Sequence, residues 1–118
     1  MTSTGMHLRI HGDGQGRPAP LPCHFDEAFE RLEALPRMFI EGDGSFVWRE
    51  SAQWDGELID GGPSLQCVEL RGAGGAAELR RLLTCLSEDW GGLLIESVRD
   101  GRWSLAAEFL DTLEELPR

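Results

Sequence analysis

The clearest candidate for chemistry in this chain is the stretch Gly72-Ala73-Gly74-Gly75-Ala76-Ala77. It follows Val68-Glu69-Leu70-Arg71, which alternates like a strand, and it opens a run of helical periodicity. That gives it the G-x-G-x-x-A spacing of a dinucleotide-binding turn. Gly72, Gly74 and Gly75 would let the backbone approach a phosphate, and the helix N-terminus would offer N–H donors. Arg71, with Arg80 and Arg81 nearby in sequence, would supply positive charge. Glu96 lies at the end of the next predicted strand, where such folds hold a ribose-binding acid. Two features oppose a complete dinucleotide fold. A parallel strand buried on both faces reads as continuous apolar sequence, whereas Glu69 and Arg71 alternate with Val68 and Leu70. The glycines also come late, with too few residues after them to complete a nucleotide-binding half. A phosphate or nucleotide site at Gly72–Ala77 is therefore the alternative to a plain flexible strand-to-helix connection, and no resident cofactor is expected.

The histidines form a second candidate. His7, His11 and His24 crowd the first quarter of the chain, with Cys23 beside His24. On a strand His7 and His11 share a face but stand roughly 13 Å apart at about 3.3 Å per residue, too far to hold one ion together. A metal-dependent activity would need the fold to bring His24 and Cys23 to one of them. No metal ligand is assigned from spacing alone. Cys23, Cys67 and Cys85 are odd in number and widely spaced, as buried thiols of a reducing compartment are. An earlier glycine run, Gly12-x-Gly14-x-Gly16, fails the nucleotide spacing and is followed by prolines. Asp43, Asp55, Asp60 and Asp100 each precede Gly, a pairing that turns explain. Ser87, Ser97 and Ser104 lack the context of a nucleophile elbow.

Composition removes further mechanisms. The 118 residues carry 21 acidic and 11 basic side chains, a formal net charge of −10, and all the basic ones are Arg. With neither Lys nor Tyr, no Schiff-base lysine, phosphate-loop lysine or tyrosine acid is available. The negative balance argues against binding nucleic acid or an anionic membrane through phosphate contacts. No apolar run approaches the length of a membrane span and the N-terminus has no signal-like pattern, so a soluble, cytoplasmic protein is expected.

The elements that must position these residues follow from periodicity. His7–His11 alternates as a strand with Leu8 and Ile10 on one face and both His on the other. Residues 12–22, rich in Gly and Pro, read as a loop. Phe25, Ala28, Phe29, Leu32 and Leu35 set out a helix ended by Pro36. Met38–Glu41 and Ser45–Arg49 form a hairpin across Gly42-Asp43-Gly44. A three-residue loop with Gly44 left-handed gathers Met38, Ile40, Phe46 and Trp48 on one face. Strands are predicted near Glu57–Ile59, at Leu65–Arg71 and at Leu93–Val98, with turns at Asp55-Gly56, Asp60-Gly61 and Asp100-Gly101. Helices are predicted from Ala76 to about Glu88, and through Ala106, Phe109, Leu113 and Leu116. Trp48 is placed in the core, whereas Trp54 and Trp90 adjoin turn signals and are expected to be half exposed.

The result is one α+β domain over residues 1–118, in the order β-α-β-β-β-β-α-β-α, with a mostly antiparallel sheet, helices on one face and a flexible tail at 1–5. The segments Leu35–Phe39 and Gly44–Trp48 resemble those of small bacterial proteins, which implies no chemistry. With no catalytic set recognised, the leading expectation is a non-enzymatic protein-interaction or regulatory module, binding a protein partner or itself as a homodimer. Anion binding at Gly72–Ala77 and metal chemistry at the N-terminal His/Cys cluster are the alternatives.

Overall fold

Alternation of apolar and polar residues along eight segments builds the sheet. The computed structural model describes residues 5–50 and 52–115. The strands are β1 (Met6–Asp13), β2 (Pro18–Ala19), β3 (Met38–Ile40), β4 (Ser45–Arg49), β5 (Gln53–Asp60), β6 (Leu65–Gly72), β7 (Leu94–Ser97) and β8 (Arg102–Leu105). The helices are α1 (Phe25–Glu33), α2 (Ala76–Thr84) and α3 (Ala106–Glu115), with a 3-10 turn at Trp90–Gly92. The sheet runs β3-β4-β5-β6-β1-β7-β8, every pair antiparallel, and β2 pairs with the far end of β1. This is the expected α+β class. Of the expected tail at 1–5, residues 1–4 lie outside the described residues, and the Gly5 carbonyl accepts a hydrogen bond from Arg99 Nη1 at 2.9 Å.

One face of the sheet makes the core. Leu8, Ile10, Phe46, Trp48, Trp54, Leu58, Val68, Leu70 and Ile95 all point the same way, and join Ala28 and Leu32 of α1, Leu79, Leu82 and Leu83 of α2 and Leu110 of α3 in one cluster. Each helix contributes the apolar stripe that its periodicity sets out. The helix α1 starts where the Glu27 carboxylate accepts the His24 backbone N–H at 2.9 Å. The hairpin register is the expected one: Met38 faces Trp48, Ile40 faces Phe46, and Gly44 has φ 94°.

Three expectations need correction. The Asp55-Gly56 pair is not a turn but the middle of β5, because Gly56 faces Phe46 across the sheet and its missing side chain leaves room for the Phe46 ring. Trp54 is therefore fully buried rather than half exposed, opposite Trp48 and Gly72. Residues 12–22 are not all loop: β1 runs on to Asp13, and Pro18–Ala19 pairs back on its end. The strand β8 was not expected at all. It follows the turn at Gly101, whose φ is 67°, and pairs with β7.

The strands β6 and β7 flank β1 and are both antiparallel to it, so they run parallel to one another with α2 as the crossover. A strand–glycine–helix–strand pattern is thus present, as in a nucleotide-binding unit, but an antiparallel strand separates its two strands.

Candidate functional site

The helices cover one face of the sheet; the other carries the polar half of each alternation. On it, β1 presents His7, Arg9 and His11, β6 presents Cys67, Glu69 and Arg71, and β5 presents Asp55, Glu57 and Ile59. Glu96 of β7 stands opposite Arg9, and Trp103 of β8 opposite Glu96. Cys67 and Leu94 are buried on this face without belonging to the helix-covered core cluster.

Glu69 is the hub. It accepts a hydrogen bond from His7 Nε2 at 2.5 Å, with Arg71 Nη2 at 3.4 Å and Arg9 Nε at 3.7 Å. The His7 hydrogen bond, helped by the Arg9 and Arg71 charges, holds its carboxyl below the usual carboxylate range against the opposing effect of burial. Glu96 pairs with Arg9 at 3.9 Å and with His11 at 3.6 Å. The latter is too long for a hydrogen bond, and among the described residues His11 Nε2 is buried without one. The His11 ring lies 5.5 Å from that of Trp103.

Burial holds the His11 imidazole below its ordinary value, outweighing the pull of Glu96 in the other direction. The unfolded chain therefore takes up this proton first as pH falls through about 6.5, and folding loses stability below that point until the folded imidazole is protonated too. Among the shifted groups, the carboxyls are lowered and the thiols raised, so neither kind titrates in this window. His11→Gln should shrink the loss of urea-unfolding stability between neutral pH and about pH 5.5. Equal losses in variant and parent would show that His11 is not the sensor.

The glycine-rich stretch is placed differently. Gly72 ends β6, Gly75 caps α2, and Gly74 lies against the Trp54 indole and the Glu78 carboxylate. Trp54 Nε1 donates to Glu78 Oε1 at 3.0 Å, and Glu78 is buried in the first turn of α2. Arg71 points to the open face, toward Glu69. Arg80 pairs with Glu114 at 3.1 Å beside Trp90, and Arg81 pairs with Glu50 at 2.6 Å over the Trp48 ring. The three arginines thus have carboxylate partners on different surfaces, and Glu96 belongs to the open face.

No family model, curated protein or solved structure matches the chain.

The histidines divide as well. His7 and His11 share the open face, but His24 lies at the start of α1, its Nδ1 against the Pro63 carbonyl, and Cys23 is buried in the core. Among the described residues, no group of three or more His, Cys, Asp or Glu side chains is placed to hold a metal ion. A depression of about 430 Å³ lies beside His24, Asp26 and Asp60, and a smaller one of about 90 Å³ on the open face between Asp55, Glu57, Glu69 and Arg71. Sequence reasoning missed Arg9, Glu69 and Trp103 as members of a common surface. Alternation gives the face of each residue, but only strand order shows which strands meet.

Among the described residues, the exposed large hydrophobic side chains are Phe39, Trp103 and Leu105, at 60%, 46% and 36% of full exposure. All three are on this face. Phe39 faces Val47 at one edge of the sheet, and Trp103 and Leu105 lie on β8 at the other. No helix among the described residues is long and apolar enough to cross a membrane.

Proposed function

We propose that the chain is a non-enzymatic interaction or regulatory module that contacts a protein through the open face of its sheet. The supporting observation is that Phe39, Trp103 and Leu105 all project from the face no helix covers. An aromatic or aliphatic side chain left in water gains by burial against a partner, and Trp is enriched where binding energy concentrates. The charge network between the two edges offers directional contacts that discriminate among partners.

The test uses the full chain with Trp103→Asp and Phe39→Asp. Both side chains are exposed, so each variant should keep the parent's helical circular dichroism and melt within a few degrees of it. The expected result is self-association in sedimentation, or capture of a specific protein from the source lysate, that both variants lose. A parent that sediments as a monomer and captures nothing overturns the reading.

A further inference from the structure

Resting on that reading, we infer that the open face is built to bind a second copy of this chain, about a two-fold axis that runs along β6. The strand order places β6 in the middle of the seven-strand path, with β5, β4 and β3 on one side and β1, β7 and β8 on the other. A two-fold axis along β6 lays β5 of one copy over β1 of the other, and β3 over β8.

The side chains on these strands are complementary under that operation. Toward the open face β5 presents the acids Asp55 and Glu57, whereas β1 presents His7, Arg9 and His11. Asp55 is in register with Arg71 and hence with His7; Glu57 is in register with Glu69 and hence with Arg9. The axis therefore sets Asp55 over the partner copy's β1 at the level of His7, and Glu57 at the level of Arg9. Each of these contacts occurs twice. The same operation brings the β3 edge over the β8 edge, where Phe39, at the level of His7, lies two residues (about 7 Å) along from Trp103, at the level of Arg9, and four from Leu105, at the level of His11, so Trp103 is the side chain within its reach. Glu69 and Arg71 of β6 both fall on the axis, each opposite its own copy, and Arg71 lies 3.4 Å from Glu69 within each chain.

Size and shape allow this. Strands of three to eight residues, at about 3.3 Å per residue and about 4.8 Å per strand, give a face of roughly 600 Å². Specific interfaces bury about 600–1,000 Å² of each partner, so this face is at the lower end of the range. Sheets that pack face to face keep their strands within about 30° of one another, which an axis close to the β6 direction allows. The centre of this interface is charged, so the dimer should weaken as salt rises.

Complementary charge reversal tests the axis directly. Sedimentation across a concentration series should show the parent dimerising, and R9E and E57R should each weaken self-association roughly tenfold or more, because each reversal acts at two symmetry-related contacts. Arg9 and Glu57 lie outside the core, so thermal melts should show both variants folded. Mixing R9E with E57R should restore association as a heterodimer, since each introduced charge then meets an opposite one. A parent that stays monomeric, a dimer indifferent to both reversals, or a mixture that does not recover overturns the inference. If the parent is monomeric yet captures another protein that Trp103→Asp loses, the second copy is wrong and the interaction reading stands.

Discussion

Trp54→Ala should cost about 3–5 kcal/mol, the range for removing a large buried aromatic side chain. A domain of this size has only about 5–15 kcal/mol in total, so the variant should be partly unfolded on modest warming. Trp54 is fully buried, lies opposite both Trp48 and Gly72, and donates its indole N–H to Glu78. Two contributions are separable. Trp54→Phe retains most of the apolar volume but deprives a buried carboxylate of one donor, which should cost about 1–3 kcal/mol. Adding Glu78→Leu to Trp54→Phe removes both members of the hydrogen bond, and the pair should be less destabilised than the two single costs summed. Urea unfolding followed by circular dichroism measures all of these. A Trp54→Ala cost below about 1 kcal/mol would mean that the core closes without the indole.

Trp54 also shows where sequence reading loses its grip. Asp55-Gly56 is a turn signal by local chemistry, and a turn there leaves the neighbouring Trp half exposed. The residue that overrides it is Phe46, ten positions earlier, whose ring occupies the space over Gly56 once β4 and β5 pair. At Asp60-Gly61 and Asp100-Gly101 no such partner intervenes, and the chain turns there, with left-handed glycines at Gly62 and Gly101. Helix positions and the Gly44 hairpin were legible because each is decided within a dozen residues. The strand β8 was not, because Arg102–Leu105 has one face open to solvent and its pairing with β7 is what defines it.

The open face divides along the same line. Alternation in β1 already separates His7 and His11 from Leu8 and Ile10. The carboxylate that His7 meets lies 62 residues away, and the pairing depends on β6 docking beside β1 with Arg9 opposite Glu69. Cross-strand neighbours are the unit of sheet chemistry, and strand order is a property of the whole domain. The charge balance of −10 gave no warning of it, because Arg9 and Arg71 meet Glu69 and Glu96 on this one face of an otherwise acidic chain.

Gly74→Ala should destabilise the fold by about 1–3 kcal/mol, while Gly75→Ser should be neutral or stabilising by a few tenths of a kcal/mol. A Cβ at Gly74 would overlap Glu78 Oε1 and Trp54 Nε1, an approach no packed atoms adopt, so the buried hydrogen bond would have to shift. At Gly75 a Cβ would meet nothing within 4 Å, and the residue is the N-cap of α2 with φ −93° and ψ 180°, a conformation open to Ser. The contrast separates two uses of the same glycine run. A phosphate-cradling turn needs its glycines so that a ligand can approach the backbone, and parent and variants would then differ in their stabilisation by pyrophosphate. A packing turn needs glycine only where other atoms already fill the space, and Gly72 and Gly74, both against the Trp54 ring, meet this condition whereas Gly75 does not. Thermal melts of both variants, with and without pyrophosphate, decide between the two. Destabilisation confined to Gly74→Ala with no response to the ligand assigns the run to packing, whereas a ligand-dependent shift in the parent that either substitution abolishes assigns it to anion binding.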